Sequence, residues 1–373
     1  MKAGNKKVVY VLSHVFKSLV FEWTLVGLKN SVDLTVILLN PEDSPFENFL
    51  RQENIRVVRF RYRNKADLPL TFFRLSWFFL TRRPDVVHAH LFEATLAGLT
   101  AAWITRIRTR LYTRHNSTFH HLYFPGAVKY DRWSNALATG IVSISQATDD
   151  TLVRLEQVSV RKIHKIPSGF DFTVFTDVSK ERVQRVRERW GVPEGRPCIG
   201  IISRHIEWKG LQYSIPAFAG FLRAHPEATL VLANASGPYH QTVMDLLKNI
   251  PSQHVVLIPF EEDIAALYPL FNIYIHVPID PTCEAFGQTY VEAMAAGIPS
   301  VVTLSGIAAE YVEHRQNAWV VPFKDSAAIG EGLETLWHDE ELRHTLVENG
   351  RQAVLSHYGL VPMLALLNEL YDR

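Results

Sequence analysis

The chain has 373 residues, enough for two domains or one large one. Its 39 Lys and Arg against 38 Asp and Glu leave a formal charge of +1, which argues against nucleic-acid binding through bulk charge. Apolar residues at 47% and charged residues at 21% exclude a mainly disordered chain, and two cysteines, Cys198 and Cys283, supply neither a disulfide framework nor a zinc-site spacing. A reducing, cytoplasmic setting is the simplest expectation. Met1–Lys7 is basic, but the apolar run behind it, Val8–Leu12, is too short for a signal-peptide core and reads as a first buried strand. Further strands are predicted at Leu34–Leu39, Val57–Phe60, Val86–His90, Arg110–Thr113, Ile141–Ile144 and Lys165–Pro167. A second series follows at Cys198–Ser203, Thr229–Ala233, Val255–Pro259, Ile273–Val277, Ser300–Thr303 and Ala318–Val321. Helical stretches lie between most of them, and an amphipathic helix over Leu360–Leu370 ends the series. Such alternation implies two doubly wound α/β domains, each a parallel sheet covered by helices on both faces.

The expected division is 1–172, then 173–355, then a C-terminal helix at 356–373 that packs back on the first domain. Ser168-Gly169 and the polar run from Ser179 mark the boundary. In open α/β sheets ligands bind beyond the carboxyl ends of the strands, and a cleft between two such domains is a natural site. Charge is unevenly shared: residues 1–172 hold 24 Lys and Arg against 14 Asp and Glu, net +10, while residues 173–373 are net −9. The basic half suits either an anionic partner or pairing across the cleft. Two basic aromatic runs, Phe72–Arg83 and Trp103–Arg110, have the composition of an interfacial membrane helix; a buried core helix and a solvated face account for them equally well.

Several motifs are absent. The chain has no G-x-G-x-x-G, no P-loop, no G-x-S-x-G elbow, no H-E-x-x-H and no D-x-D. The richest segment is Glu284-Ala-Phe-Gly-Gln-Thr-Tyr-Val-Glu292-Ala-Met-Ala-Ala-Gly297. A helix is predicted from about Gly287, with Gly297 just past its end and Pro299 beyond. Its N-terminus, at a strand's carboxyl end, suits a phosphate, and Gly287 permits close approach to the backbone. Glu292 lies roughly 7–8 Å along the axis from Gly287 at the helical rise. Ionised carboxylates only accept hydrogen bonds, so Glu284 and Glu292 flanking a phosphate site suit a hydroxyl-rich ligand.

This E-x7-E segment resembles the signature of the retaining nucleotide-sugar glycosyltransferases of family 4, which have the GT-B fold. A second resemblance is Gly200-Ile-Ile-Ser-Arg204-His-Ile-Glu-Trp-Lys209-Gly210: strand, Arg, short loop, then Lys-Gly opening a helix. Weaker matches fall in the family's order: Val86–His90, Thr113-Arg114-His115, Ile144-Ser145, Ile166–Asp171 and Asn317-Ala318.

The resemblance implies that Arg204 and Lys209 hold the donor diphosphate, Glu292 the ribose hydroxyls and Glu284 the transferred sugar, with the Phe286–Gln288 backbone also on the donor. The chemistry agrees. Negative charge grows on the departing diphosphate, so fixed cations there count for more in the transition state. The structural alternative for the cations is a surface ion pair with Glu207. On the acceptor side the resemblance implies a role for His115 near the reacting sugar; His14, Lys17 and His90 are further candidates, and His88 suits packing equally well. Catalytic candidates are thus Glu284, His115, Arg204 and Lys209, with no metal and no cofactor beyond the sugar nucleotide.

The chain departs from the family at three places. Ser13–Ser18 stands for the usual Gly-Gly loop, Leu232–Gly237 lies where G-x-G is common, and Val277–Asp280 lies where Pro-Ser is common. The implied reaction is transfer with retention to a hydroxyl of a glycan or lipid-linked acceptor, in surface-polysaccharide or glycoconjugate synthesis, with possible contact at the inner membrane face. The alternatives are a GT-B sugar-nucleotide epimerase and a non-catalytic nucleotide-sugar-binding subunit.

Overall fold

The structure, a computed structural model, describes residues 5–373; Met1–Gly4, the start of the basic N-terminal stretch, lie outside the described residues. The chain divides into two compact units, one reaching to Asp171 and including Tyr358–Arg373, the other Phe172–His357.

In the first unit the strands are β1 (Lys7–Ser13), β2 (Asp33–Asn40), β3 (Arg56–Arg61), β4 (Val86–His90), β5 (Thr109–Arg114), β6 (Gly140–Ser143) and β7 (Ile163–Lys165). They form one parallel sheet in the order β3-β2-β1-β4-β5-β6-β7. Helices of eight or more residues here are α1 (Leu19–Leu28), α2 (Pro45–Gln52), α3 (Leu68–Arg82), α4 (Phe92–Ile104) and α5 (Val128–Leu137). The second unit holds β8 (Cys198–Ile202), β9 (Thr229–Ala233), β10 (Val255–Ile258), β11 (Ile273–His276), β12 (Ser300–Val302) and β13 (Trp319–Val320), ordered β10-β9-β8-β11-β12-β13 and again parallel. Its helices are α6 (Lys180–Trp190), α7 (Leu211–Ala224), α8 (His240–Leu247), α9 (Gln288–Ala295), α10 (Ser326–His338) and α11 (Glu340–His357). The last helix, α12 (Leu360–Asp372), belongs to the first unit.

Central strands such as β8 and β9 are buried along their whole length, which is why they read as nearly continuous apolar runs; β4 is equally buried but carries His88 and His90. The edge strand β3 is different: Arg56, Arg59 and Arg61 discourage edge-to-edge pairing. One expectation shifts. The strand predicted at Lys165–Pro167 spans Ile163–Lys165 instead, followed by a last ladder bond from Ile166 N–H to the Ser143 carbonyl at 2.8 Å. Pro167 has no N–H with which to continue.

Strand order reverses beside β1 and β4 in one sheet, and beside β8 and β11 in the other. Chains leaving these neighbouring strands diverge to opposite faces and open a crevice at their carboxyl ends. The crevices receive the 13–18 loop and His88–His90 in the first unit, and Arg204–Lys209 and the 277–287 loop in the second. α12 seals the first core with Met363, Leu367, Leu370 and Tyr371. Its Tyr371 hydroxyl lies 2.5 Å from that of Tyr10 and 2.8 Å from His88 Nδ1.

Candidate active site

In the second unit, the chain leaves β8 through Ser203, Arg204 and His205 and makes a 3-10 turn, Glu207–Lys209. Gly210 then starts α7 with φ +77°, and a Cβ there would collide with the Val277 carbonyl oxygen. Only glycine brings the Lys209 turn this close to the end of β11. The Trp208 carbonyl accepts from Ile279 N–H at 3.1 Å and ties this loop to the next.

The β11 exit ends in α9, whose N-cap Gly287 has φ +93° and offers no side-chain cap. The first N–H groups of α9 lack intrahelical partners and form a weakly positive end. The preceding loop is built rigidly. Asp280 Oδ1 accepts from both the N–H and the hydroxyl of Thr282. The Tyr290 hydroxyl sits between the carbonyls of Phe286 (2.6 Å) and Ser305 (3.0 Å) while accepting from Ala308 N–H.

Glu284 and Glu292 are both buried, but their electrostatics differ. Glu284 Oε1 forms an ion pair with Lys209 Nζ and lies 3.5 Å from His276 Nε2. Burial alone would raise its pKa; the Lys209 charge and His276 overcome that and hold it at about 2. Among the described residues the Glu292 carboxyl has one neutral partner, the Tyr268 hydroxyl, which donates to Oε2 at 2.7 Å. There burial wins and pushes its pKa up to about 7. The two carboxyls therefore divide into a group ionised at physiological pH and paired with a cation, and one that titrates near neutral pH.

Lys209 thus pairs with Glu284, 75 residues away, and not with Glu207. Arg204 is exposed and, among the described residues, has no ion-pair partner. Phe286 is buried and Gln288 is exposed at the start of α9. Arg204, Lys209, Glu284, Phe286, Gly287, Gln288 and Glu292 therefore gather around the ends of β8 and β11. Sequence reading missed His276, the last residue of β11, whose Nδ1 lies 3.1 Å from Thr289 Oγ1. It also missed His205, whose Nδ1 is 2.9 Å from His240 Nδ1. Burial lowers both pKa values, that of His205 to about 4, so both rings are neutral at physiological pH. The signal available was position alone: each lies at a strand's carboxyl end.

In the first unit, His88 bonds through both ring nitrogens, to Tyr371 and to Thr113 Oγ1 (2.9 Å), and is fully buried. Packing claims it. His90 Nδ1 faces His115 Nε2 at 3.1 Å. Burial holds His115 down at about 4 and His90 well below its ordinary value, so this pair is neutral and one ring donates to the other. His115 borders a cavity of about 250 Å³ that Phe92, Thr95, Tyr112, Phe119 and His120 also line. Arg114 beside it is clamped by Asp131 (3.0 Å) and Glu156 (2.6 Å), which fixes the end of β5. His14 is exposed, with its ring edge-on to Tyr62, and Lys17 is half-buried in the same loop. The Asn40 carboxamide pins that loop through the Val15 N–H and carbonyl.

Both glycine departures keep a left-handed backbone without glycine: φ is +54° at His14 and +60° at Asn234. His and Asn tolerate that region better than most residues. Among the described residues, one cluster has metal-ligand chemistry: His225, Glu334 and His338. It sits at the C-terminal ends of α7 and α10.

Comparisons with known proteins bear on the family and the fold. The family model described as Glycosyltransferase Family 4 matches residues 26–174, and that described as Glycosyl transferases group 1 matches residues 183–353. The chain is 25% identical to the capsular polysaccharide biosynthesis glycosyltransferase CapM of Staphylococcus aureus, covering 79% of this chain and 78% of that protein. It is 28% identical to the putative glycosyltransferase EpsD of Bacillus subtilis, over 73% and 72%. The crystal structure of Anabaena Alr3699/HepE in complex with UDP and glucose superposes with a TM-score of 0.84 at 22% identity, covering 98% of this chain and 99% of that one. Two parallel-sheet units, the clustered Arg, Lys and paired Glu, and two family models in tandem place the chain among the family-4-like GT-B glycosyltransferases, and it is a glycosyltransferase enzyme.

Proposed function

We propose that the chain transfers a sugar, with retention of anomeric configuration, from a nucleotide-diphosphate sugar to a hydroxyl of a glycan or lipid-linked acceptor. The name of a relative, a capsular polysaccharide biosynthesis glycosyltransferase, supports a surface-polysaccharide role. The observation that carries the donor reading is the partly buried Lys209–Glu284 pair beside the uncapped N-terminus of α9, with Arg204, which has no ion-pair partner among the described residues, at the exit of β8. A diphosphate would sit on the α9 N–H groups and Arg204, and compete with Glu284 for Lys209. Glu292, once ionised, would accept from the two ribose hydroxyls.

In the transfer step the bond from the anomeric carbon to the diphosphate oxygen breaks, and the acceptor oxygen forms its bond on the same face. The acceptor proton passes to the departing diphosphate oxygen, so no protein base is consumed. Arg204, Lys209 and the helix end stabilise the charge that grows on the leaving group. In the first unit neutral His115, oriented by His90, would hydrogen-bond a hydroxyl of the acceptor or the reacting sugar beside its cavity. No step is assigned to a metal. Proton NMR of the first product tests the stereochemistry: retained anomeric coupling supports this reading, and inversion overturns it.

A further inference from the structure

α3 is apolar on two opposite sides. Thr71, Leu75 and Phe79 face the core. Leu70, Phe73, Trp77 and Leu80 are exposed, Phe73 by 68% and Trp77 by 71%. At 3.6 residues per turn these four fall within an arc of roughly 80°, opposite the buried face, in a stripe about 15 Å long. Core packing explains the first side and leaves the second without a reason. The stripe has neighbours. α3 packs beside α4, and α4 beside α5, where the Trp133 indole N–H donates to Thr100 Oγ1 at 3.1 Å. Trp103 and Ile104 on α4 and Trp133 on α5 are also exposed. Apolar side chains gathered on one helical layer mark an interaction surface; scattered ones do not.

Charge identifies the partner. α3 contains no acidic residue. Where α3 and α4 end, a cavity of about 450 Å³ is lined by Arg83, Arg106 and Arg108, with Asp85 as its side-chain carboxylate; Lys6, also in the lining, already donates to the Tyr371 and Asp372 carbonyls, and Arg373 is paired to Glu369. The negative ends of both helices face it, but each is worth only about half a charge. The cations prevail. Arg83 and Arg106 also hold left-handed backbone, φ +46° and +59°, at helix ends where glycine costs least.

We propose that this face docks on an anionic bilayer, with the Phe73–Trp77 stripe entering the acyl boundary and the Arg83–Arg106–Arg108 cavity taking phospholipid headgroups. Tryptophan with flanking arginine is the composition that an interfacial helix needs. The surface belongs to the first unit, and the proposal does not depend on how the second unit's site is read.

The test is co-sedimentation of the full chain with phosphatidylcholine vesicles, alone or with about 30% phosphatidylglycerol. The wild type is expected to pellet with the anionic vesicles and to be released by high salt. The double variant Phe73→Ser/Trp77→Ser is expected to partition about tenfold or more weakly. Arg83→Glu/Arg106→Glu is expected to lose the preference for phosphatidylglycerol. Far-UV circular dichroism should be unchanged in both. Three results would overturn the proposal: a wild type that stays in the supernatant, double variants that bind as the wild type does, or a wild-type dimer that Phe73→Ser/Trp77→Ser renders monomeric, which would assign the stripe to a second copy.

Discussion

Replacing Glu292 with Gln should stabilise the fold and weaken donor binding at the same time. In the folded chain burial raises the Glu292 pKa from the ordinary 4.5 to about 7. A raised carboxyl favours the protonated folded state, so its contribution is fully present below about 4.5, falls as pH rises and levels off above about 7. A shift of that size corresponds to about 3 kcal/mol of destabilisation at pH 8, and almost none at pH 4. Gln keeps an oxygen for the Tyr268 hydroxyl but adds an amide that needs a partner, which removes about 1 kcal/mol of the gain. The net advantage of the variant at pH 8 is then about 2 kcal/mol, or roughly 4–8 °C in Tm for a unit of this size. The assay is calorimetry of wild type and Glu292→Gln from pH 5 to 8, with nucleotide-sugar titration at the same pH values. The Tm gap should widen with pH, while the variant loses the rise in donor affinity that wild type gains between pH 6 and 8. A gap independent of pH, or donor affinity equal in the two proteins, refutes the reasoning.

Three further outcomes follow from the same geometry. Lys209→Ala leaves Glu284 buried without its cation, which should cost about 3 kcal/mol or more and abolish transfer; a melt and a product assay read both effects. Gly210→Ala should lower Tm and donor affinity together, because the added Cβ meets the Val277 carbonyl and pushes the Lys209 turn off the end of β11. His115→Ala should reduce the transfer rate while the thermal shift given by the free nucleoside diphosphate stays at its wild-type size, since the proposed diphosphate and ribose contacts all lie in the second unit and His115 lies in the first.

Much of the architecture was legible because buried parallel strands announce themselves. All thirteen predicted strands have counterparts, and β4 and β9 match to the residue. The edges were harder. β7 is only Ile163-His164-Lys165, too short and polar to register, so the reading slid two residues towards Pro167. Glu284, Glu292, Arg204 and Lys209 were legible as residues because of their spacing, and the Gly287 start of α9 because only glycine suits it. What joins them was not legible. The Lys209–Glu284 pair spans 75 residues, and the one ion pair that local spacing offered, as the structural alternative, was with the nearer Glu207. The different states of the two glutamates depend on burial and on Tyr268, which no local pattern reports. His276 closes an apolar run and reads as core until the fold sets it beside Glu284.

The most direct test of the donor site is a thermal-shift panel of UDP-, GDP-, ADP- and dTDP-sugars on wild type, Lys209→Ala and Glu292→Gln. A donor at 100 times its Kd should add about 2.7 kcal/mol to wild-type stability. The account predicts one nucleotide class that, at pH 8, stabilises wild type, shifts Glu292→Gln less and does not shift Lys209→Ala. Equal shifts in all three proteins, or no shift from any nucleotide sugar with the fold intact, would contradict it.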